Sequence, residues 1–113
     1  MEGKVYLGVA RDLENAIMEG KLREGEAVPS THQVAETYEI NPATAARGVA
    51  VLTAKGILVK KRGIGLFIAE GARERVLEER RDAFREGLLK ETLEEARLLG
   101  ISRRDLMAMI MSR

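Results

Sequence analysis

The sequence has 113 residues, long enough for one small domain or one domain with an appendage, and too short for a large enzyme core with a deep substrate pocket. It contains no cysteine and a single histidine, which excludes disulfides, thiolate chemistry and nearly every transition-metal site, so no cofactor is expected; 45% hydrophobic and 33% charged residues make an ordinary globular composition. Net charge is only +1, yet no acid lies between Glu39 and Glu70 while Arg47, Lys55, Lys60, Lys61 and Arg62 do, so one piece of the chain is electropositive, either a footprint for phosphate or a cluster of solvated bases.

The first predicted element is an amphipathic helix from about Val5 to Glu19, with Val9, Leu13 and Ile17 at steps of four beside Ala10 and Ala16, stopped by Gly20. KLREGEAVPS then reads as a short extended connection with a glycine turn. Ser30 suits an N-cap and Gln33 completes a capping box, opening a short second helix whose inner face is Val34, Ala35 and Tyr38. Glu39-Ile40 makes the turn. Asn41 then caps a third helix with Pro42 at its first position, where the missing N–H costs nothing.

In that third helix Ala45, Gly48, Val49 and Leu52 form the buried stripe, leaving Ala43, Thr44, Arg47 and Ala50 outward. Gly48 costs about 1 kcal/mol against alanine in a helix interior, a loss tolerated where another helix must come close. Gly56 ends the helix. Residues 57–61 (ILVKK) and 66–69 (LFIA) are β-prone runs around RGIG, so a hairpin with its tip at Arg62 to Gly65 follows. Helix, short helix, turn, helix, hairpin is the outline of a winged helix-turn-helix domain.

After Gly71 the composition shifts to alternating arginine and glutamate. A long helix over Ala72–Leu99 carries a narrow stripe of Phe84, Leu88, Thr92, Ala96 and Leu99, flanked by Leu89 and Leu93. Gly100 stops it, and Ser102 with Asp105 caps a last helix bearing Leu106, Met107, Met109, Ile110 and Met111. Two such helices leave much apolar surface open, so a second copy of the chain is expected to cover it, giving a homodimer. The methionines suit that packing or the lining of a small-molecule pocket. The expected fold class is mainly α with a small β-hairpin: a winged helix-turn-helix domain over residues 1–71, then a two-helix dimerisation extension over residues 72–113.

From about Tyr6 to Ile68 the sequence resembles the DNA-binding domain of the GntR family of bacterial transcriptional regulators, through IMEGKLREGEAVPS, the PS-x-x-x-VA opening of the second helix, INPATAAR and KKRGIGLFI, in that order. Asn41-Pro42-x-Thr44-x-x-Arg47 and the short helical extension are similar to the YtrA subfamily. The resemblance implies a dimeric repressor, often encoded beside transporter genes, acting on double-stranded DNA with a pseudo-palindromic operator. Two positions depart from the pattern: His32 stands where the family commonly has a DNA-contacting arginine, and Ala43 where asparagine is frequent. Imidazole is a weaker phosphate donor than guanidinium, which puts that corner in question.

The candidate DNA-binding residues are Ser30, Thr31, His32, Asn41, Ala43, Thr44, Arg47, Lys60, Lys61, Arg62 and Gly63. Arg47 can fork to guanine O6/N7 or to a phosphate, and Thr44 can reach a phosphate or a thymine methyl. Ser30 is either a plain N-cap or part of a phosphate site at a helix N-terminus. The hairpin bases read as backbone contacts, with Arg62 placed to enter a minor groove, or as charges protecting an exposed edge. Gly63 and Gly65 serve turn geometry, since no lysine-serine signature follows them.

Catalysis has little to stand on: Ser30 and His32 are two residues apart, and the paired carboxylates are interspersed with arginines along one helix. No enzyme is expected. No apolar run approaches the roughly 18 to 20 residues that span a bilayer, and the N-terminus lacks a signal-peptide layout, so a cytoplasmic protein without membrane contact is expected. An effector, if the protein uses one, would bind in a cleft or at the dimer seam. The rival reading is a winged-helix module that docks on protein without DNA.

Overall fold

A computed structural model describes residues 2–113, with side chains from Val5 onward. The order is α1 (Glu2–Met18), α2 (Thr31–Tyr38), α3 (Pro42–Ala54), β1 (Leu58–Lys61), β2 (Gly65–Ile68), α4 (Ala72–Phe84), a π-helical turn (Arg85–Leu89), α5 (Lys90–Leu98) and α6 (Arg103–Met111). The chain divides into two compact units, Met1–Leu77 and Glu78–Arg113.

The first unit is built on the stripe of α1. Val9, Ala10, Leu13 and Ile17 are buried together with Val34 and Ala35 of α2, Ala45, Val49 and Leu52 of α3, and Ile57, Leu58 and Ile68 of the hairpin. Ala72 and Val76 join the same core, so the unit runs past Gly71 to Leu77. Arg75 reinforces this by donating to the Gly56 carbonyl at 2.7 Å, and Arg73 by donating to the Met18 carbonyl.

Both caps of the helix-turn-helix form as their residues dictate. The Ser30 hydroxyl accepts from the Gln33 N–H at 3.2 Å, and the Gln33 side chain accepts from the Ser30 N–H at 2.9 Å. At α3 the Asn41 carboxamide accepts from the Ala43 N–H at 2.7 Å, with Pro42 following. Tyr38 departs from its expected place on the inner face: it is exposed, and its hydroxyl donates to the Asp12 carboxylate at 3.0 Å. A phenol at the end of a short helix keeps its polar tip wet.

Gly48 marks the closest approach of α1 and α3. A methyl placed on it would lie 2.9 Å from the Tyr6 carbonyl oxygen and 3.3 Å from Val9 Cβ. The hairpin pairs antiparallel with Leu58 opposite Ile68 and Lys61 opposite Gly65. At its tip the Ile64 N–H donates to the Lys61 carbonyl at 2.9 Å, and Gly63 takes the positive φ of 76° that this turn requires. Residues 25–28 run alongside β2, with Ala27 bridging Phe67, so the connection adds a third edge to the hairpin.

The long helix runs from Ala72 to Leu98 as expected, but it contains a π-helical turn at Arg85–Leu89. Spacing of i to i+5 in the π turn inserts an extra residue and re-phases the stripe. Phe84 is followed on its face by Leu89 and Leu93 rather than by Leu88 and Thr92, and Thr92 is exposed. Ala96 is buried where the chain turns into α6, which opens with the expected cap, the Asp105 N–H donating to the Ser102 hydroxyl at 3.1 Å. Phe84, Leu88, Leu98, Leu99, Met107, Met109, Ile110 and Met111 are all exposed in the single chain.

Candidate nucleic-acid interface

A groove of about 620 Å³ runs between α3 and the hairpin. Ser30 and Thr31 from the start of α2, Ala46, Val49, Ala50, Thr53 and Ala54 from α3, and Lys60, Gly65 and Leu66 from the hairpin line it. Three of the sequence candidates, Ser30, Thr31 and Lys60, are thus brought to one concavity. The first turn of α2 supplies N–H groups and the positive end of a helix there, the arrangement that receives phosphate.

The two hairpin lysines separate. Alternation along a strand sends Lys60 to the groove with its cross-strand partner Leu66, and Lys61 to the other face, where its ammonium lies 4.7 Å from the centre of the Phe67 ring. Arg62, Gly63 and Ile64 form the exposed tip, with Ile64 72% exposed.

On α3, Arg47 is exposed and its guanidinium carbon sits 4.3 Å from the centre of the Tyr6 ring. That stack holds the long side chain at the surface with its donors unhidden. Tyr6 was not among the sequence candidates, although it stands three residues before Val9 and extends the same helical stripe by a turn. Thr44 overturns its assignment as an outward reader: it is only 8% exposed. It lies one turn before Gly48, on the face of α3 turned toward α1. Asn41 and Ala43 stay exposed at the start of α3.

Two other bases have partners inside the protein. His32 is within 3.2 Å of the Glu36 carboxylate, one turn on along the same helix. Lys55 reaches to 3.8 Å from Glu14, whose side chain is only 8% exposed, and so belongs to the base of the domain. Of the five bases in the acid-free interval, Arg47, Lys60, Lys61 and Arg62 therefore remain for a ligand. Among the described residues no group of His, Asp and Glu could hold a metal ion, and no helix is long and apolar enough to cross a membrane.

Of the candidates for self-association, Leu88, Leu89, Leu99, Met107, Ile110 and Phe84 expose apolar surface, while Leu93 and Leu106 are half-buried. Ala96, at 7%, has almost nothing left to give a partner.

Residues 5–68 match the family described as bacterial regulatory proteins, gntR family. The chain is 26% identical over 103 residues to the uncharacterized HTH-type transcriptional regulator YhcF of Bacillus subtilis, covering 91% of this chain and 84% of that one. It is 25% identical over 97 residues to the HTH-type transcriptional repressor YtrA of the same organism, covering 86% and 74%. A GntR family transcriptional regulator from Listeria monocytogenes has the same fold, with a TM-score of 0.78 at 23% identity over 96% of this chain and 94% of that one. With the winged helix-turn-helix in place and the match spanning all of it, the chain belongs to the GntR family of transcriptional regulators and carries that family's DNA-binding domain.

Proposed function

We propose that the protein is a cytoplasmic, dimeric repressor, not an enzyme, that binds a pseudo-palindromic operator through α3 and the hairpin. The observation that carries this reading is the convergence of Ser30, Thr31 and Lys60 on one groove, with Arg47 exposed on the same α3 and no acid in the chain from Ile40 to Ala69. A protein-docking face has no reason to be free of carboxylates, whereas a phosphate-facing one does. In this reading α3 enters the major groove, Arg47 donates to guanine or to a phosphate, and Arg62 lies along the minor groove at the tip.

The similarity to the repressor YtrA supports repression. The exposed apolar side chains of α4, α5 and α6 support self-association, because an open face of that size is stable in water only when covered. Two copies would present their third helices about one helical turn apart.

Selection of bound fragments from genomic DNA by the full chain tests this and identifies the regulated genes. The reading expects a recurring site with two-fold symmetry, bound far more weakly by Arg47→Ala and Arg62→Ala. Unchanged binding by both variants would place the contact surface elsewhere. Enrichment of no sequence would refute the regulator itself.

A further inference from the structure

The outer face of α3 carries one long polar side chain, Arg47, and around it only Ala43, Ala46 and Ala50. Thr44 is turned inward, and the hydroxyl of Thr53 is engaged at 2.9 Å by the Val49 carbonyl of its own helix. Along the groove the lining is therefore apolar in its middle, from Ala46, Val49, Ala50, Ala54 and Leu66, and polar where Ser30, Thr31 and Lys60 meet it. Hydrogen-bond donation to bases from the outer side chains of this helix is limited to Arg47. An occupant that matches must be anionic where it meets Ser30, Thr31 and Lys60 and apolar where it meets the alanines.

A DNA strand has that pattern where thymine occurs. Its phosphates are the anions, and the C5-methyl of thymine is the apolar group on the base edges of the major groove. We propose that the groove seats one strand with thymine methyl groups against Ala46 and Ala50 and a flanking phosphate at Ser30, Thr31 and Lys60, so that the alanines are specificity-determining residues. The inference rests on the DNA-binding reading above and deepens it. Alanine suits the role because a one-carbon side chain lets the helix approach the groove floor while still excluding water from the methyl. A longer side chain would hold the helix off, and a hydroxyl would keep a water there. Each half-site should then place thymine beside the base pair that Arg47 reads.

The test uses the full-length protein and a duplex enriched from a randomised pool. Each half-site thymine is replaced singly by deoxyuridine, which removes the methyl and nothing else. Burying one methyl is worth about fourfold in affinity, so at least one substitution per half-site should weaken binding by about that factor. The penalty should shrink toward none in Ala46→Ser or Ala50→Ser, and the salt dependence should be unchanged, because no charge has moved. Enriched half-sites lacking thymine, or deoxyuridine tolerated at every position, would overturn the inference. A penalty undiminished in both serine variants would overturn its assignment to these residues. If either variant fails to fold, deoxyuridine on the unaltered protein still decides. Failure of the DNA-binding reading looks different: no duplex would be bound in a salt-sensitive way at all.

Discussion

Gly48→Ala places a methyl group into the contact between α1 and α3. That carbon would meet the Tyr6 carbonyl oxygen at 2.9 Å and Val9 Cβ and Cγ1 at 3.3 Å. A carbonyl in a helix cannot swing aside as a lysine tip can, so α1 as a whole must shift. Overpacking of this kind costs about 1–3 kcal/mol, while the better helix propensity of alanine returns about 1 kcal/mol. Taking the upper half of the overpacking range because a backbone atom is hit, the net loss is about 1–2 kcal/mol. For a domain of this size each kcal/mol lowers Tm by roughly 4–8 °C. The shift also moves Tyr6 away from Arg47, so DNA affinity should fall with stability. Gly8→Ala is the control, since nothing lies within 4 Å of a methyl built there; it should stabilise by about 0.5–1 kcal/mol through propensity alone. Thermal melts of both variants at one protomer concentration make the comparison. If Gly48→Ala proves as stable as Gly8→Ala, the close helix contact does not exist and the account of the core is wrong.

Replacing Lys55 by alanine should cost about 1–2 kcal/mol by removing a cation 3.8 Å from a buried carboxylate, yet leave the salt dependence of DNA binding as it was; a lowered slope would return Lys55 to the interface. Tyr38 has its pKa raised, by burial first and then by its hydrogen bond to Asp12 and that carboxylate's charge. Because the folded value lies above the unfolded one, the phenol's contribution is fully present below the ordinary tyrosine range and is lost as pH rises through the raised value. Spectrophotometric titration of the wild type against Tyr38→Phe should show one tyrosine ionising late, and an ordinary titration would rule the bond out. Leu88→Glu combined with Ile110→Glu should leave the protein folded and monomeric in sedimentation, while the wild type is dimeric. A dimer in both would exclude the helical extension as the seam.

Local chemistry made much of the helix-turn-helix readable. Asn41-Pro42 can hardly do anything but start a helix, Ser30 and Gln33 specify each other across one turn, and Gly48 announces a close neighbour before that neighbour is known. What stayed hidden depends on groups far apart in sequence or on a rule applied too narrowly. A stripe drawn through Ala45, Gly48, Val49 and Leu52 leaves Thr44 outward, although it stands one turn before Gly48 and a threonine methyl can fill a core position. Lys60 and Lys61 read as one set of backbone contacts in the sequence, although strand alternation already separates them. The π turn has no signature of its own in REGLL, and without it the stripe of the last long helix is drawn through Thr92. Nothing near Arg47 in sequence shows that the Tyr6 ring will support it, nor does anything near Lys55 reveal Glu14.

The most direct test is the affinity of the full-length protein for duplex DNA, followed by fluorescence anisotropy as salt is raised. Lys60 and Arg62 on each of two protomers give about four cationic phosphate contacts, so log K should fall against log salt with a slope of about −3.6, or roughly 150-fold between 50 and 200 mM. Arg62→Ala should make that slope shallower by about two, one contact from each protomer. Binding that is absent, or that does not weaken with salt, would contradict the assignment of this surface to DNA.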